Sequence, residues 1–472
     1  MASNLRVDTI LPSSGTNVAI GTATGTVSLV GNSNLTTTGV ITATSFSGSG
    51  ANLTSIPAAQ LTGTVADARI STLTASKLSG ALPAISAASC TNIPAANITG
   101  TLPAISGANL TNLPASGKVT NFVVNGAMMV AQRGTSSTSD GIHTVDRFAK
   151  DENGTDESLT QAQVDVASGT TPYTLGFRKA FKLTNGNQTS GAGSADRATA
   201  EYKIEAQDIA NCGWNYLSSS SYITFSYWVK SSVAQNFYNT FGTDDGTKQR
   251  YTTETGSLTA DTWTKITKTI PGNSNLTFNN DNGEGLEITW EIYRGTSQTG
   301  SMSLNAWAAS NNNLRTPDQT STWWTTNNAT FEITGVQLEV GDSASDFAHE
   351  RYADTILKCY RYYYAHKGML WGITSATDHL DLNLTFPVPM RTTPSRTQVD
   401  TSLLFKNRLD QENSTSATTY SYSGVVSPTG DFWVARPGSG DSWGVSYTSS
   451  DTHAVYYHVH EGTTSYAWSA EL

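Results

Sequence analysis

Trp323 and Trp324 stand side by side in a run of Thr, Ser and Asn, and Trp307 lies just ahead of Asn311, Asn312 and Asn313. An indole offers a flat apolar face and a polar N–H, so such rings, flanked by amides, are groups that stack on sugars. Adjacent residues of a strand point to opposite faces, so at least one ring of the Trp323–Trp324 pair is expected to be exposed. The competing expectation is that these rings cap a core or meet a neighbouring subunit. Trp228, Trp263 and Trp290 lie inside strand-like runs and are expected in the core. A different chemistry is offered by His458 and His460, which share one face of the run 454–460 with Tyr456. In a threefold assembly their imidazoles would gather around one axial metal. A solvated or subunit-facing strand accounts for the same spacing, and no metal or cofactor is assigned.

Paired acids are the remaining reactive groups: Asp244–Asp245, Asp151–Glu152 and Asp156–Glu157. They sit in polar loops and read as solvated charge. Glycoside hydrolysis needs two carboxyl groups about 5–10 Å apart across a cleft, which spacing along the chain does not supply. There is no Gly-rich phosphate loop, no HExxH and no CxxC, and no Gly-x-Ser-x-Gly in a strand-to-helix setting. The expectation is therefore a protein that is not an enzyme.

The elements that must position these residues follow from composition. The chain has 472 residues, 14% of them charged, with net charge −10. An acidic balance without a basic block argues against a nucleic-acid partner. No apolar run approaches the ~20 residues of a membrane span. The start, Met1-Ala2-Ser3-Asn4-Leu5-Arg6, lacks the apolar stretch of a secretory leader, and the three cysteines, Cys90, Cys212 and Cys359, show no metal-like spacing. They read as reduced thiols of a protein made in a cytoplasm. The first 117 residues hold one aromatic, Phe46, and five charged side chains, whereas all eleven tryptophans lie beyond residue 213. A stretch so poor in large apolar groups cannot form a core alone.

That stretch repeats. The pattern of 51–65, Ala-Asn-Leu-Thr-Ser-Ile-Pro-Ala-Ala-Gln-Leu-Thr-Gly-Thr-Val, recurs at 88–102 as Ala-Ser-Cys-Thr-Asn-Ile-Pro-Ala-Ala-Asn-Ile-Thr-Gly-Thr-Leu and begins again at 108–115. Leu-Pro-Ala-Ile-Ser appears at 82–86 and at 102–106. Each repeat supplies a few Leu, Ile or Val between Gly, Pro and Thr. One chain buries too little this way to offset backbone ordering of about 1–2 kcal/mol per residue. Three wound chains bring copies of each apolar side chain together, about 1.5–3 kcal/mol apiece when buried. Without heptads, an intertwined β shaft is expected rather than a coiled coil; a flexible linker is the simpler alternative.

From Lys118 large apolar residues appear. Runs at 222–230, 263–270, 286–293 and 331–341 read as strands separated by Gly-, Asn- and Asp-rich turns, which suggests a two-sheet jelly-roll sandwich. Residues 353–364 form the one convincing helix, with Ala353, Ile356, Leu357, Tyr360 and Tyr364 at helical spacing. Runs at 380–386, 443–447 and 454–460 predict a second β domain.

These motifs resemble a known family. Asp8-Thr9-Ile10-Leu11-Pro12, the run 39–48 and Gly50-Ala51-Asn52-Leu53-Thr54 are similar to the shaft repeats of tail fibres of marine tailed phages, cyanophages in particular. The pairing of Asn125-Gly126-Ala127-Met128 and Gln132-Arg133-Gly134 with Val336-Gln337-Leu338-Glu339-Val340-Gly341 resembles a module of such fibres whose sandwich is like a carbohydrate-binding module. The resemblance implies a homotrimer, fixed by its N-terminus to a tail adaptor or nozzle protein, that meets host cell-surface glycan as a virion component. It also implies a Tyr-rich helix after the sandwich, packed on symmetry mates or seating the next domain. Needle tips of some myophage long fibres bind iron through His-x-His, but their repeated, glycine-bearing pattern is absent around His458 and His460. The expected organisation is a virion-attachment segment at 1–45, a trimeric shaft at 46–117, the sandwich at 118–345, the connecting helix at 346–365 and a β tip domain at 366–472. The alternatives are a depolymerase tailspike, which would need a long β-helix with an acidic groove, and a head fibre or adaptor with a purely structural role.

Overall fold

The computed structural model describes residues 9–12, 36–42, 44, 45, 47, 121–367, 370–376, 379–398, 403–407, 412–415, 423–435, 454–458 and 466–472. The chain divides into two units, Met1–Pro103 and Ala104–Leu472. The expected shaft, except Ser47, lies outside the described residues, as does the run 443–447.

Alternation of apolar and polar side chains builds the sandwich. In Tyr222–Ser231, Ile223, Phe225, Tyr227 and Val229 are buried. In Glu284–Arg294, Leu286, Ile288, Trp290 and Ile292 are buried. Period-2 alternation puts each set on one face of its strand. The first sheet runs Ser136–Ser137, Thr160–Asp165, Lys179–Thr184, Thr330–Val340, Tyr222–Ser231, Thr264–Pro271 from edge to edge. The second runs Trp307–Ala309, Gln249–Ser257, Asn236–Thr243, Glu284–Arg294, Arg197–Glu205, Ala149–Asn153. All ladders within both are antiparallel. The protein is thus mainly β, with a jelly-roll-like sandwich. Between the sheets the rings of Phe225 and Phe241 meet edge-on at 5.2 Å, and Tyr227 meets Trp290 edge-on at 5.8 Å.

The opening and closing motifs lie against each other. Asn121 donates from Nδ2 to Val336 O and accepts from Leu338 N, while Val336 N donates to Gly126 O. A Cβ on Gly126 would sit 2.1 Å from Val336 O, so only glycine permits this approach.

The helix is Tyr352–Tyr360, shorter than the sequence predicts. Tyr363–His366 is instead a strand, paired with Tyr466–Ser469, and the Tyr364 ring stacks on Trp468 at 6.0 Å. A sheet partner and an aromatic surface outweigh local helical spacing. Ser395–Gln398 completes this three-stranded sheet. A seven-stranded antiparallel sheet accompanies it: Glu412–Thr415, Leu403–Asn407, Ala454–His458, Leu370–Ala376, His379–Thr385, Gly430–Ala435, Ser423–Ser427. The two β regions are clamped together. Glu205, fully buried, accepts two bonds from Arg361 at 2.6 Å and one from the Tyr362 hydroxyl at 2.6 Å. Glu471 accepts from Arg133 at 3.0 Å and Arg147 at 2.5 Å.

Candidate functional site

Trp323 and Trp324 are fully buried, which corrects the expectation of an exposed ring. They lie on one helical turn, Thr322–Thr325, where neighbours diverge by about 100° rather than 180°, so both can turn inward. Trp323 Nε1 donates to Thr330 O, Trp324 Nε1 donates to Gly191 O, and Trp324 stacks on Tyr293 at 4.9 Å. Trp307 is partly buried in a short strand, its Nε1 donating to Pro271 O at 2.7 Å and its ring 5.3 Å from Tyr251. These three rings hold the sandwich together. His458 ends a described strand, but its side chain and all of His460 lie outside the described residues. Of the acids, Asp156 accepts from Ser190, Glu157 from Asn187, and Asp245 from Asn279. Burial is slight at Asp156, whose carboxyl is held below its usual range by the Ser190 hydrogen bonds.

Trp228 and Trp263 are the second correction. Trp290 is in the core as expected, but Trp228 and Trp263 are only partly buried, on the outward face of the first sheet. The phase was in the sequence: Trp228 alternates with Tyr227 and Val229 and falls in step with Thr224, Ser226 and Lys230.

Trp228 floors a cleft of about 250 Å³ together with Phe177 and Ser226. Two walls rise from the sheet. One is 166–178, which brings in Phe177. Gly335, at φ +62° in a bulge of Thr330–Val340, makes room for that ring, since a Cβ there would lie 2.6 Å from Phe177 Cζ. The other wall is 343–349, and the outward residues of the closing motif hold it: Glu339 accepts from Ser345 N at 2.8 Å, and Gln337 accepts from Ala348 N at 2.8 Å. Phe177 meets Phe347 edge-on at 4.9 Å, and His349 reaches across to the Leu175 carbonyl at 2.8 Å, tying wall to wall. Lys265, Asp346 and His349 stand exposed around the rim. Beside the cleft, Lys230 Nζ lies 5.2 Å from the Trp263 ring and 3.1 Å from Glu332. An apolar aromatic floor inside a rim of donors and acceptors is the general form of a site for a small polar-edged ligand.

The outward face of the second sheet is polar and folded shut. Glu291 is fully buried and accepts from Thr240 at 3.0 Å and from Arg294. Burial pulls its carboxyl up, but Arg294 and Arg315 more than offset this and hold it below the usual range. Residues 295–320 cover the face, tied down by Arg250 to Asn311 O at 2.8 Å and by Tyr238 to Asp318 at 2.6 Å. Toward the far edge, burial and then Glu287 and Asp151 push Glu201 up to about 7.

No family model matches the chain, and no curated protein sequence matches it. Solved structures similar to it include the enzymatically active domain of tailspike protein 4 of bacteriophage CBA120, at TM-score 0.26 and 11% identity over 47% of this chain and 22% of that one. Another is a putative sugar binding protein from Bacteroides thetaiotaomicron, at 0.26 and 10% over 47% and 100%. A third is the N-terminal cellulose-binding domain of Cellulomonas fimi β-1,4-glucanase C, at 0.22 and 12% over 46% and 99%. The chain therefore spans under a quarter of the tailspike chain, 22%, and the full length of the sugar binding protein.

Proposed function

We propose that this chain is the subunit of a homotrimeric virion tail fibre that attaches by its N-terminal segment and presents its outer β domains to glycan on the host cell surface. The shaft-like repeats at 51–65 and 88–102 and the paired module motifs support the fibre assignment. The observation that carries the binding role is the Trp228 cleft: a partly exposed indole floor, one wall fixed by Gln337 and Glu339 of the closing motif, and a rim of Lys265, Asp346 and His349. Sugar rings present apolar faces and hydroxyl edges, and this cleft offers a partner for each. We read the cleft as a binding site rather than a hydrolytic one, because Asp346 is the single carboxylate among its lining residues. Threefold association would multiply a weak contact through effective concentration.

The test is binding of the full-length chain to purified envelope polysaccharide of the host. Trp228→Ala is expected to weaken binding at least tenfold, about 1.4 kcal/mol, with the polysaccharide left at its original length. Shortening of the polymer would replace the fibre by a depolymerase, and unchanged binding would remove the cleft from the mechanism. Light scattering at three chain masses is the result expected for the assembly; a single chain mass at native concentration would contradict it.

A further inference from the structure

The helix Tyr352–Tyr360 is covered by its own chain on one side only. Thr355 and Cys359, four residues apart and so on one face, are buried. Neighbours along a helix diverge by about 100°, so Tyr352, Ile356, Tyr360, Ala353 and Leu357 follow one another around the adjoining arc. Every side chain of that arc is apolar or aromatic. Tyr352 is 55% and Leu357 43% exposed, Ala353 is exposed, and Ile356 and Tyr360 are only partly buried, Tyr360 meeting Tyr364 edge-on. Charge begins past the arc, at Arg361, Asp354 and Lys358, and is answered inside the chain by Glu205, Arg351 and Glu350. What the arc leaves in water is apolar surface, which favours an apolar partner.

The place where the chain enters the described part of the sandwich says what that partner is. Asn121 lines one small cleft with Glu350 and Thr355 and another with Lys358 and Arg361, so the chain comes in alongside this helix. The last repeat ends at Ala115, six residues earlier, a reach of at most about 20 Å. Copies held together through the repeats therefore carry their helices close to one another. Five side chains fall short of a free-standing interface, but copies tethered this near meet at a high effective concentration, where a small patch suffices. We propose that the apolar arc of Tyr352–Tyr360 is a contact between copies of this chain, each helix laying its arc on the next around the axis of the repeats. It rests on the homotrimer reading above for the presence of the copies, and adds where they touch.

The test uses the full-length chain with Cys90→Ser and Cys212→Ser, leaving the buried Cys359, and places one new thiol at a time: Ala353→Cys, Leu357→Cys or, as control, Thr267→Cys on the exposed face of the first sheet. All three positions are exposed in the single chain, so each variant is expected to fold. A short bis-maleimide is added and the products are read on a denaturing gel, with the native mass measured by light scattering. Covalent dimers are expected from Leu357→Cys and Ala353→Cys, up to about two thirds of the chains because three thiols around one axis join only in pairs, and none from Thr267→Cys. A mass of three chains without cross-linking at 353 or 357 overturns the contact and keeps the trimer; this includes the case in which upstream residues of the same chain cover the arc. Equal cross-linking at 267 marks chance collision and overturns it as well. A mass of one chain overturns the contact and the homotrimer together.

Discussion

On the outward face of the first sheet, Trp228 lies partly open between two walls, with Lys265, Asp346 and His349 unburied at its rim. On the outward face of the second, Glu291, Arg294 and Arg250 are buried: Glu291 accepts from Thr240 and Arg294, and Arg250 donates to Asn311 O while its Nε is left without an acceptor. Both faces carry aromatic and charged residues at period-2 spacing. They differ in how far their charged groups are withdrawn from solvent. A buried pair such as Glu291–Arg294 holds the fold, and breaking it strands a charge; an aromatic surface beside the exposed Lys265 and Asp346 is open to a ligand.

The largest expected effect lies on the closed face. Glu291→Ala leaves Arg294 buried without its partner and is expected to cost about 3–5 kcal/mol in urea unfolding, with polysaccharide binding kept by whatever remains folded. A loss under about 1 kcal/mol would mean the second face is not a structural hub. Trp324→Ala is expected to cost a similar 3–5 kcal/mol by leaving a cavity against Tyr293. Reduced binding by Trp324→Ala in folded protein would restore that ring as a ligand contact.

That second case shows how far the sequence could be read. The sandwich was legible because Ile223, Phe225, Tyr227 and Val229 alternate so regularly that both strand and inner face follow. The same alternation placed Trp228 outside, but being within a strand says nothing of which face a tryptophan occupies until the phase is counted. Trp323 and Trp324 were misplaced because a strand was assumed where the chain makes a single helical turn, and four residues carry too little periodicity to tell the two apart. The helix was read as running to Tyr364 because Tyr360 and Tyr364 keep helical spacing, while the strand that captures Tyr363–His366 comes from residues 466–469, beyond any local signal. The walls of the cleft were invisible for the same reason: Gln337 and Glu339 are legible as outward residues of a strand, but not as the anchors of Ser345 and Ala348.

A smaller effect should separate the clamp from both faces. Asp146 is buried beside the clamp, where it accepts from Gln132 N at 2.9 Å and lies 3.8 Å from Arg133; burial pushes it from 3.8 to about 6 against the pull of that arginine. The folded state therefore holds its proton more tightly than the unfolded chain does. Stability from this group is full below about pH 4 and is lost as pH rises toward 6, on the order of 3 kcal/mol at about 1.4 kcal/mol per unit. Unfolding free energy measured across that window should fall less steeply with rising pH in Asp146→Asn than in wild type, the remaining slope including that of Glu201. Identical slopes would show that Asp146 is not an acid whose proton the folded state retains. The smallest stability effect is expected at the open face, where Trp228→Ala should cost under about 1.5 kcal/mol while producing the binding loss described above.

The most direct test of the open face replaces the eleven tryptophans with fluorinated tryptophan and follows the assigned ¹⁹F resonances as host polysaccharide is added. Displacement of the Trp228 resonance, with those of Trp290, Trp323 and Trp324 unmoved, is the predicted result. A saturable response from other tryptophans with Trp228 silent would contradict it.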